Sequence, residues 1–409
     1  MDDRGLGLVT SVFSVGGLIG SIYAAWLTDH IGRRLCMALN GFVFVAGSLV
    51  EGFSNNILIL ALGRFISGLG AGCSIVITPL MINEISPQGL RGHLGSMNQV
   101  AINLGILLTQ ILAIRWANSV QWRYLLFMGA VLGMFNAFAV ILIDESPKWL
   151  ASKGRLIEAK EVMSRLRGDP SIGAEAIDRY GTDDQEQLIG SEQEQAIKKV
   201  ISLRNYIFDP LYRNSLIVVT TILAGQQFCG INSIIFYGVN TIRKVLPQYA
   251  VLINCLISLG NAVITFTAAP LVDELGRKPC LTISVSVMGV SSVIMAIGIL
   301  YSISSISVAA TFAYVASFAV GLGPIPFLMI SEVTQEEAKS TAQSYGTVIN
   351  WIATFLVGYL FPIVYGSIGG YIYLVFALIC VLFVSFVING VPETKGHKTY
   401  ESVWNRRVD

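Results

Sequence analysis

The sequence predicts an all-α integral membrane protein made of two related helical bundles, and three observations carry that prediction. Of its 409 residues, 54% are hydrophobic and only 13% charged, with a mean hydropathy of +0.66; soluble domains carry about 25% charged residues. Apolar runs of about 20 residues recur along the chain, each long enough to cross a hydrocarbon core of about 30 Å as a helix. Charged motifs of the first half also return, in the same order, in the second.

In chain order the expected spans are 7–28, 35–53, 57–83, 94–114, 123–143, 213–237, 248–271, 280–301, 308–331, 341–366 and 370–390, about eleven in all. Orientation follows from the basic residues, because Lys and Arg flanking a membrane helix are retained on the cytoplasmic side. Arg4, Arg115, Arg123, Arg243 and Lys244 fall on one side, Arg64 inside a span, and all the others of the 27 Lys and Arg on the opposite side. The rich side, with the C-terminus, is therefore expected in the cytoplasm. The expected organisation is an N-terminal bundle over 1–143, an interdomain linker over 144–212, a C-terminal bundle over 213–390 and a cytoplasmic tail over 391–409. Within the linker, 155–167 reads as a short amphipathic helix and 169–194 as a polar, partly disordered stretch. It is either a surface that helps lock a closed state or a solvated tether.

The repeat is the most informative pattern. Asp29-His-Ile-Gly-Arg-Arg34 returns as Asp273-Glu-Leu-Gly-Arg-Lys278, Glu84 with Arg91 returns as Glu332 with Lys339, and Glu145 returns as Glu393. Two spans precede Asp273 but only one precedes Asp29, so the first half is one helix short. The expectation is a truncated product or gene model in preference to a protein that works with eleven spans.

The six cysteines are scattered in or beside apolar runs and read as small buried hydrophobes. The three histidines are separated singletons, which is no metal constellation, and a net charge of +1 carries no nucleic-acid message. No phosphate loop and no nucleophile-and-base set stands out, so neither an ATP-driven pump nor an enzyme is expected, and no cofactor is implied.

Candidate functional residues fall into four groups. The repeated charges Asp29, Arg33, Arg34, Glu84, Arg91, Glu145, Asp273, Arg277, Lys278, Glu332, Lys339 and Glu393 sit at cytoplasmic helix ends where two rocking bundles would meet. They are read as a network holding one face shut, with positive-inside topology alone as the alternative. Arg64 is a cation inside a span and a candidate for coupling; such a charge is expensive unless paired, and Glu51 is one candidate partner. Neutral amides and aromatics are dense in particular spans: Gln99, Asn103, Gln226, Gln227, Asn232, Tyr237, Asn261, Asn350 and Trp351. Amides pair with sugar hydroxyls without the desolvation cost of a full charge, and aromatic faces pack on sugar rings. Interhelical hydrogen bonding is the competing reading. Finally, Gly321-Leu-Gly-Pro-Ile-Pro326 lies inside a span, where the prolines remove backbone donors; a broken helix is expected there, with Gly323, Pro324 and Pro326 at a gate.

Taken in order, these motifs, with Gly63-Arg64-Phe65, Ser86-Pro87, Glu145-Ser-Pro-Lys148, Gln226-Gln227, Gly230-Ile231-Asn232 and Pro392-Glu-Thr-Lys-Gly396, resemble the sugar-porter family of the major facilitator superfamily over nearly the whole chain. The resemblance implies two six-helix bundles that alternate access to a central sugar site. It implies ligand roles for Gln99, Gln226, Gln227, Asn232 and Asn261, gate roles for Phe236 and Tyr237, and retention of Asn350 with Trp351. Ala25 and Asp144 depart from the family glycine and proline. Phe327 stands where hexose carriers have Trp, and Ala319 where many have a carboxylate. Proton-coupled relatives carry an acidic residue near the arginine that Arg64 matches, on the helix missing here.

The expected function is transport of a hexose or related sugar or polyol by alternating access, as facilitator or proton symporter. Its partners are a small-molecule sugar, protons in the symport case, and the lipid bilayer. A non-transporting receptor or trafficking protein, or an inactive truncated paralogue, is the alternative. The plasma membrane is the expected location, with a vacuolar or other internal membrane kept open.

Overall fold

A computed structural model describes residues 3–87, 91–168, 201–245, 248–335, 338–395 and 400–404. All the regular structure in them is helical. The first half holds α1 (Asp3–Ile31), α2 (Arg33–Gly52), α3 (Ile57–Ile85), α4 (Arg91–Trp116) and α5 (Trp122–Ile141). Two short helices follow, α6 (Pro147–Ser152) and α7 (Leu156–Arg167), the second matching the expected amphipathic segment. The polar stretch 169–194 lies outside the described residues. The second half holds α8 (Leu203–Phe208), α9 (Arg213–Phe228), α10 (Ile231–Val245), α11 (Ala250–Leu275), α12 (Arg277–Leu300), α13 (Ser304–Val320), α14 (Ile325–Val333), α15 (Lys339–Ile368), α16 (Ile372–Gly390) and α17 (Tyr400–Trp404).

Ten stretches of the described residues are long and apolar enough to cross a membrane. The last, Thr341–Gly390, has 50 residues, and as one helix at about 1.5 Å per residue it would be about 75 Å long, more than twice a bilayer core. It folds back at Gly369–Tyr371, where Gly369 takes φ +57°, so it makes two crossings. Eleven crossings result, in the positions the apolar runs mark. Five of the six cysteines are buried.

Two expected spans are interrupted helices. The run 308–331 breaks at residues 321–324, between α13 and α14, as the two prolines require. The run 213–237, expected as one helix, breaks between α9 and α10 because Gly230 takes φ +101°. A Cβ there would lie 2.6 Å from the Phe376 ring, so the position excludes a side chain on two counts.

In the first half α1 packs along α3 and α2 packs on α3 and α5. The α1–α3 seam is backbone against backbone. A Cβ at Gly16 would sit 2.2 Å from the Phe65 carbonyl oxygen, at Gly20 2.1 Å from that of Leu69, at Gly68 2.1 Å from that of Phe13 and at Gly72 2.0 Å from that of Gly17. Small residues four apart on both helices give the close approach that holds helices together in lipid, where apolar side chains gain little from leaving the solvent. In the second half α12 packs on α13 and α16, and α9 on α15, around one large apolar core that includes Leu223, Leu281, Met288, Tyr314, Leu322 and Phe361. The halves meet along two pairs, α1 with α15 and α4 with α11.

Candidate functional site

The helix breaks position the amides. Pro326 has no N–H, so the Leu322 carbonyl four residues back lacks its helical donor. Gln226, on α9, supplies one: its Nε2 donates to Leu322 O at 2.8 Å and to Gly323 O at 3.1 Å. Its Oε1 accepts from Asn350 Nδ2 on α15 at 2.8 Å. Gln227 Nε2 donates to Asn350 Oδ1 at 3.3 Å, and Gln227 Oε1 accepts from Asn232 Nδ2 at 2.5 Å. Gln226, Gln227, Asn232 and Asn350 thus form one neutral chain of hydrogen bonds between two broken helices and α15. Discontinuous helices in mid-membrane are where transporters build substrate sites.

A second amide group joins the halves. Asn103 on α4 donates to Thr265 Oγ1 on α11 at 2.9 Å, while its Oδ1 accepts from Asn261 Nδ2 and Gln99 Nε2, each at 3.3 Å. Trp351 is the third link: it is buried, and its Nε1 donates to Ser21 Oγ on α1 at 2.9 Å. The indole lies over Gly17, where a Cβ would approach it to 2.6 Å. Phe13 meets Trp351 edge-on at 6.2 Å, and the Arg64 guanidinium lies 5.1 Å from the Phe13 ring centre. Glu51, named as a partner for Arg64, is buried on α2 and accepts from Ser67 Oγ at 2.8 Å. A Cβ at residue 63 would come within 2.5 Å of Glu51 Cγ, so Gly63 makes room for it.

The residues named as gates take different places. Tyr237 is buried, donates to Gly358 O at 2.6 Å and stacks on Phe361 at 5.3 Å, with Phe236 edge-on to it at 6.3 Å. Gly323 and Pro324 lie in the turn between α13 and α14, Pro326 in the first turn of α14. Phe327 is half-buried against the second-half core, and Ala319 is buried.

The described contacts of the charged helix ends run within each half. Arg33 makes a two-pronged bond to Glu84, Nε and Nη2 each 2.9 Å from a carboxylate oxygen, with both side chains nearly buried. Asp29 reaches Arg33 at 3.3 Å. The Glu145 carboxylate accepts the backbone N–H of Arg33 at 2.9 Å, of Arg34 at 3.1 Å and of Ser146 at 2.8 Å. In the second half Arg277 pairs with Glu332 at 3.1 Å, and Glu393 accepts the backbone N–H of Arg277 at 3.0 Å, Lys278 at 3.1 Å, Thr394 at 2.9 Å and Lys395 at 2.8 Å. Each repeated glutamate is therefore an anion seated on a helix N-terminus, of α2 or α12, where unpaired N–H groups and the helix dipole favour it. The preceding glycines, Gly32 at φ +93° and Gly276 at φ +97°, admit it: a Cβ would sit 2.3 Å from Glu145 Oε2 or 2.8 Å from Glu393 Oε2. Each of these partners sits on the adjoining helix end of its own half. Lys339 opens α15. The side chains of Arg91 and Asp273 lie outside the described residues.

The family described as sugar (and other) transporters matches residues 2–404. The chain belongs to the sugar-porter family of the major facilitator superfamily. A probable metabolite transport protein of Saccharomyces cerevisiae, YBR241C, is 46% identical to this transporter over 408 residues, covering 99% of the chain and 83% of the relative. Vacuolar protein sorting-associated protein 73 of the same yeast is 38% identical, covering 97% of the chain and 82% of the relative. The partially occluded inward-open structure of the xylose transporter XylE from E. coli superposes with a TM-score of 0.82 at 22% identity, covering 97% of the chain and 89% of XylE. The transporter shares that fold and is a multi-pass membrane protein.

Reasoning from sequence missed Ser21, Gly17, Phe13 and Thr265. Only the glycines gave a readable signal, through their spacing of four along α1 and α3.

Proposed function

We propose that the protein carries a hexose or a related sugar or polyol across its membrane by alternating access, without covalent chemistry. The observation that carries the reading is the neutral amide chain Gln226, Asn350, Gln227 and Asn232, held between two broken helices. Amides of this kind supply donors and acceptors for hydroxyls in both directions, and none has a charge to desolvate. Gln99 and Asn261 sit where the halves meet and Trp351 crosses between them, so a ligand held there touches both halves. That is what a rocking mechanism needs. Phe327 offers a ring face without the donor of an indole, so selectivity rests on the amides. Arg64, inside the membrane and near the buried Glu51, is the place to look for energetic coupling.

The test is radiolabelled hexose and pentose uptake into cells lacking their own carriers, with and without a protonophore. Saturable uptake supports the reading; protonophore sensitivity makes it symport and insensitivity facilitated diffusion. A second reading, a non-transporting role in protein sorting, is supported by the printed name of the 38% identical yeast relative. Sugar binding by purified protein without uptake by correctly inserted protein would favour it, as would residence in an internal membrane in place of the plasma membrane.

A further inference from the structure

Asn103 is one of the most enclosed polar side chains of the molecule, 3% exposed, and its hydrogen-bond capacity is used in an unusual way. Its Nδ2 donates across the boundary between the halves to Thr265 Oγ1 at 2.9 Å, and that hydroxyl donates on to the Asn261 carbonyl at 2.8 Å. Its single carbonyl oxygen, with two lone pairs, accepts from Gln99 of its own half and Asn261 of the other. Those two donors are amides assigned above to the sugar, and both bonds are long at 3.3 Å, against an optimum of about 2.9 Å. The cross-half bond to Thr265 is short and the two bonds to the ligand amides are stretched.

We infer that Asn103 is a positioning residue that stands in for a sugar hydroxyl: in the empty carrier its carbonyl occupies the Gln99 and Asn261 donors, and the arriving sugar takes them over. The inference rests on the proposed sugar site. Because the carbonyl is tethered beside the two amides, it competes with the ligand more strongly than free water does. The two amide donors are kept satisfied before the sugar arrives, Thr265 holds the carbonyl beside them from the other half, and release of the sugar is assisted by the returning carbonyl. Removing the carbonyl therefore has a signed effect. Ligand binds more tightly and leaves more slowly, so KM and kcat fall together.

The experiment uses full-length protein and the variants Asn103→Leu, Thr265→Val and the double substitution. In ligand-free protein, thermal unfolding of the four forms gives a double-mutant cycle that needs no substrate; the expected result is clear coupling, with the double variant less impaired than the sum of the singles. Uptake kinetics with the best labelled sugar then give KM and kcat. Asn103→Leu is expected to lower both about three- to tenfold, the range for one well-formed hydrogen bond, which the two long competing bonds together replace, and Thr265→Val, which loosens Asn103 without removing its carbonyl, to do the same by less. A residue that merely holds the bundle together would lower the amount of folded carrier and leave KM unchanged. Additive unfolding shifts, or an unchanged or raised KM in a folded Asn103→Leu carrier, overturn the inference while the sugar site stands. If the unsubstituted protein binds and moves no sugar although the cycle is coupled, the proposed function fails and this role falls with it.

Discussion

The repeated glutamates give the sharpest quantitative expectation. Glu145→Ala removes the acceptor for the backbone N–H groups of Arg33, Arg34 and Ser146 and the anion from the α2 N-terminus. Loss of a helix cap costs about 0.5–2 kcal/mol, and the interaction of a charge with a helix end adds about 0.3–1 kcal/mol. Leaving a half-buried N–H unpaired, at about 1–3 kcal/mol, brings the sum to about 2–6 kcal/mol. Glu145→Gln behaves differently because Oε1 receives all three N–H groups, and Oε2 only shares that of Arg34, at 3.1 Å. An amide oxygen in that place keeps them, but the charge is lost, at about 0.3–1 kcal/mol, and so is the shared acceptor for the Arg34 N–H, which an NH2 cannot replace. Glu158→Ala is the control: this side chain is exposed, and its partner is Arg155, on the same short segment. Thermal inactivation of detergent-purified protein, followed by monodisperse elution after heating, should rank Ala at 145 as most damaging, Gln at 145 as intermediate and Ala at 158 as nearly silent. Equal damage from Ala and Gln at 145 would refute the geometric account, because charge alone would then be responsible.

Three further outcomes follow from the same geometry. Gly276→Ala places a Cβ at φ +97° and ψ 163°, a region open essentially to glycine alone, and 2.8 Å from Glu393 Oε2; it should cost about 1–3 kcal/mol for the backbone alone, read in the same heating assay, and Glu393→Ala in the same chain should relieve the contact but not the backbone cost. Gln226→Leu strips the donors from the Leu322 and Gly323 carbonyls, each worth about 1–3 kcal/mol if left unpaired and buried; uptake should fall more than tenfold, and a loss under twofold would show the amide is dispensable. Trp351→Phe loses the donor to Ser21 and part of the indole packed over Gly17, and Ser21→Ala also loses the hydroxyl's bonds to the Gly17 and Gly72 carbonyls, so the pair should be less impaired in stability than the sum of the singles, by about 0.5–1.5 kcal/mol for the shared bond.

The crossings were legible because a bilayer demands long apolar runs, and the break at Gly321–Pro326 was legible because two prolines within an apolar run leave few helical solutions. The break at Gly230 was not: a lone glycine in a helical pattern is tolerated, and only the φ of +101° against the Phe376 ring shows it is required. The ligand amides were readable as chemistry but not as partners. Nothing in the spacing of Gln226, Gln227, Asn232 and Asn350 says that the first of them caps carbonyls 96 and 97 residues away. Likewise the repeated acid-and-base pattern announced an important feature, yet its meaning as an anion on a helix N-terminus depends on a chain reversal that brings residue 145 to residue 33.

These pairings bear on where control of the cycle is expected. If the charged ends were a lock between halves, the equilibrium between open and closed states would depend on exposed pairs worth about 0–1 kcal/mol each and weakened by salt. The structure closes those pairs within each half, where Arg33 with Glu84 stiffens one bundle end and Arg277 with Glu332 the other. Hydrogen bonds between membrane helices of opposite halves are instead neutral, among them Trp351 to Ser21, Asn103 to Thr265, Asn261 to Asn103 and the pair Tyr237 and Thr10. They lie with the amides proposed to hold the sugar, so a ligand exchanging hydrogen bonds there acts directly on the contacts that join the two halves. A ligand shifts a conformational equilibrium only through such differential contacts. Neutral pairs are indifferent to salt and to pH near neutrality, so raising ionic strength at fixed sugar concentration should leave the uptake rate of this carrier nearly unchanged. A steep salt dependence would return control to the charged ends.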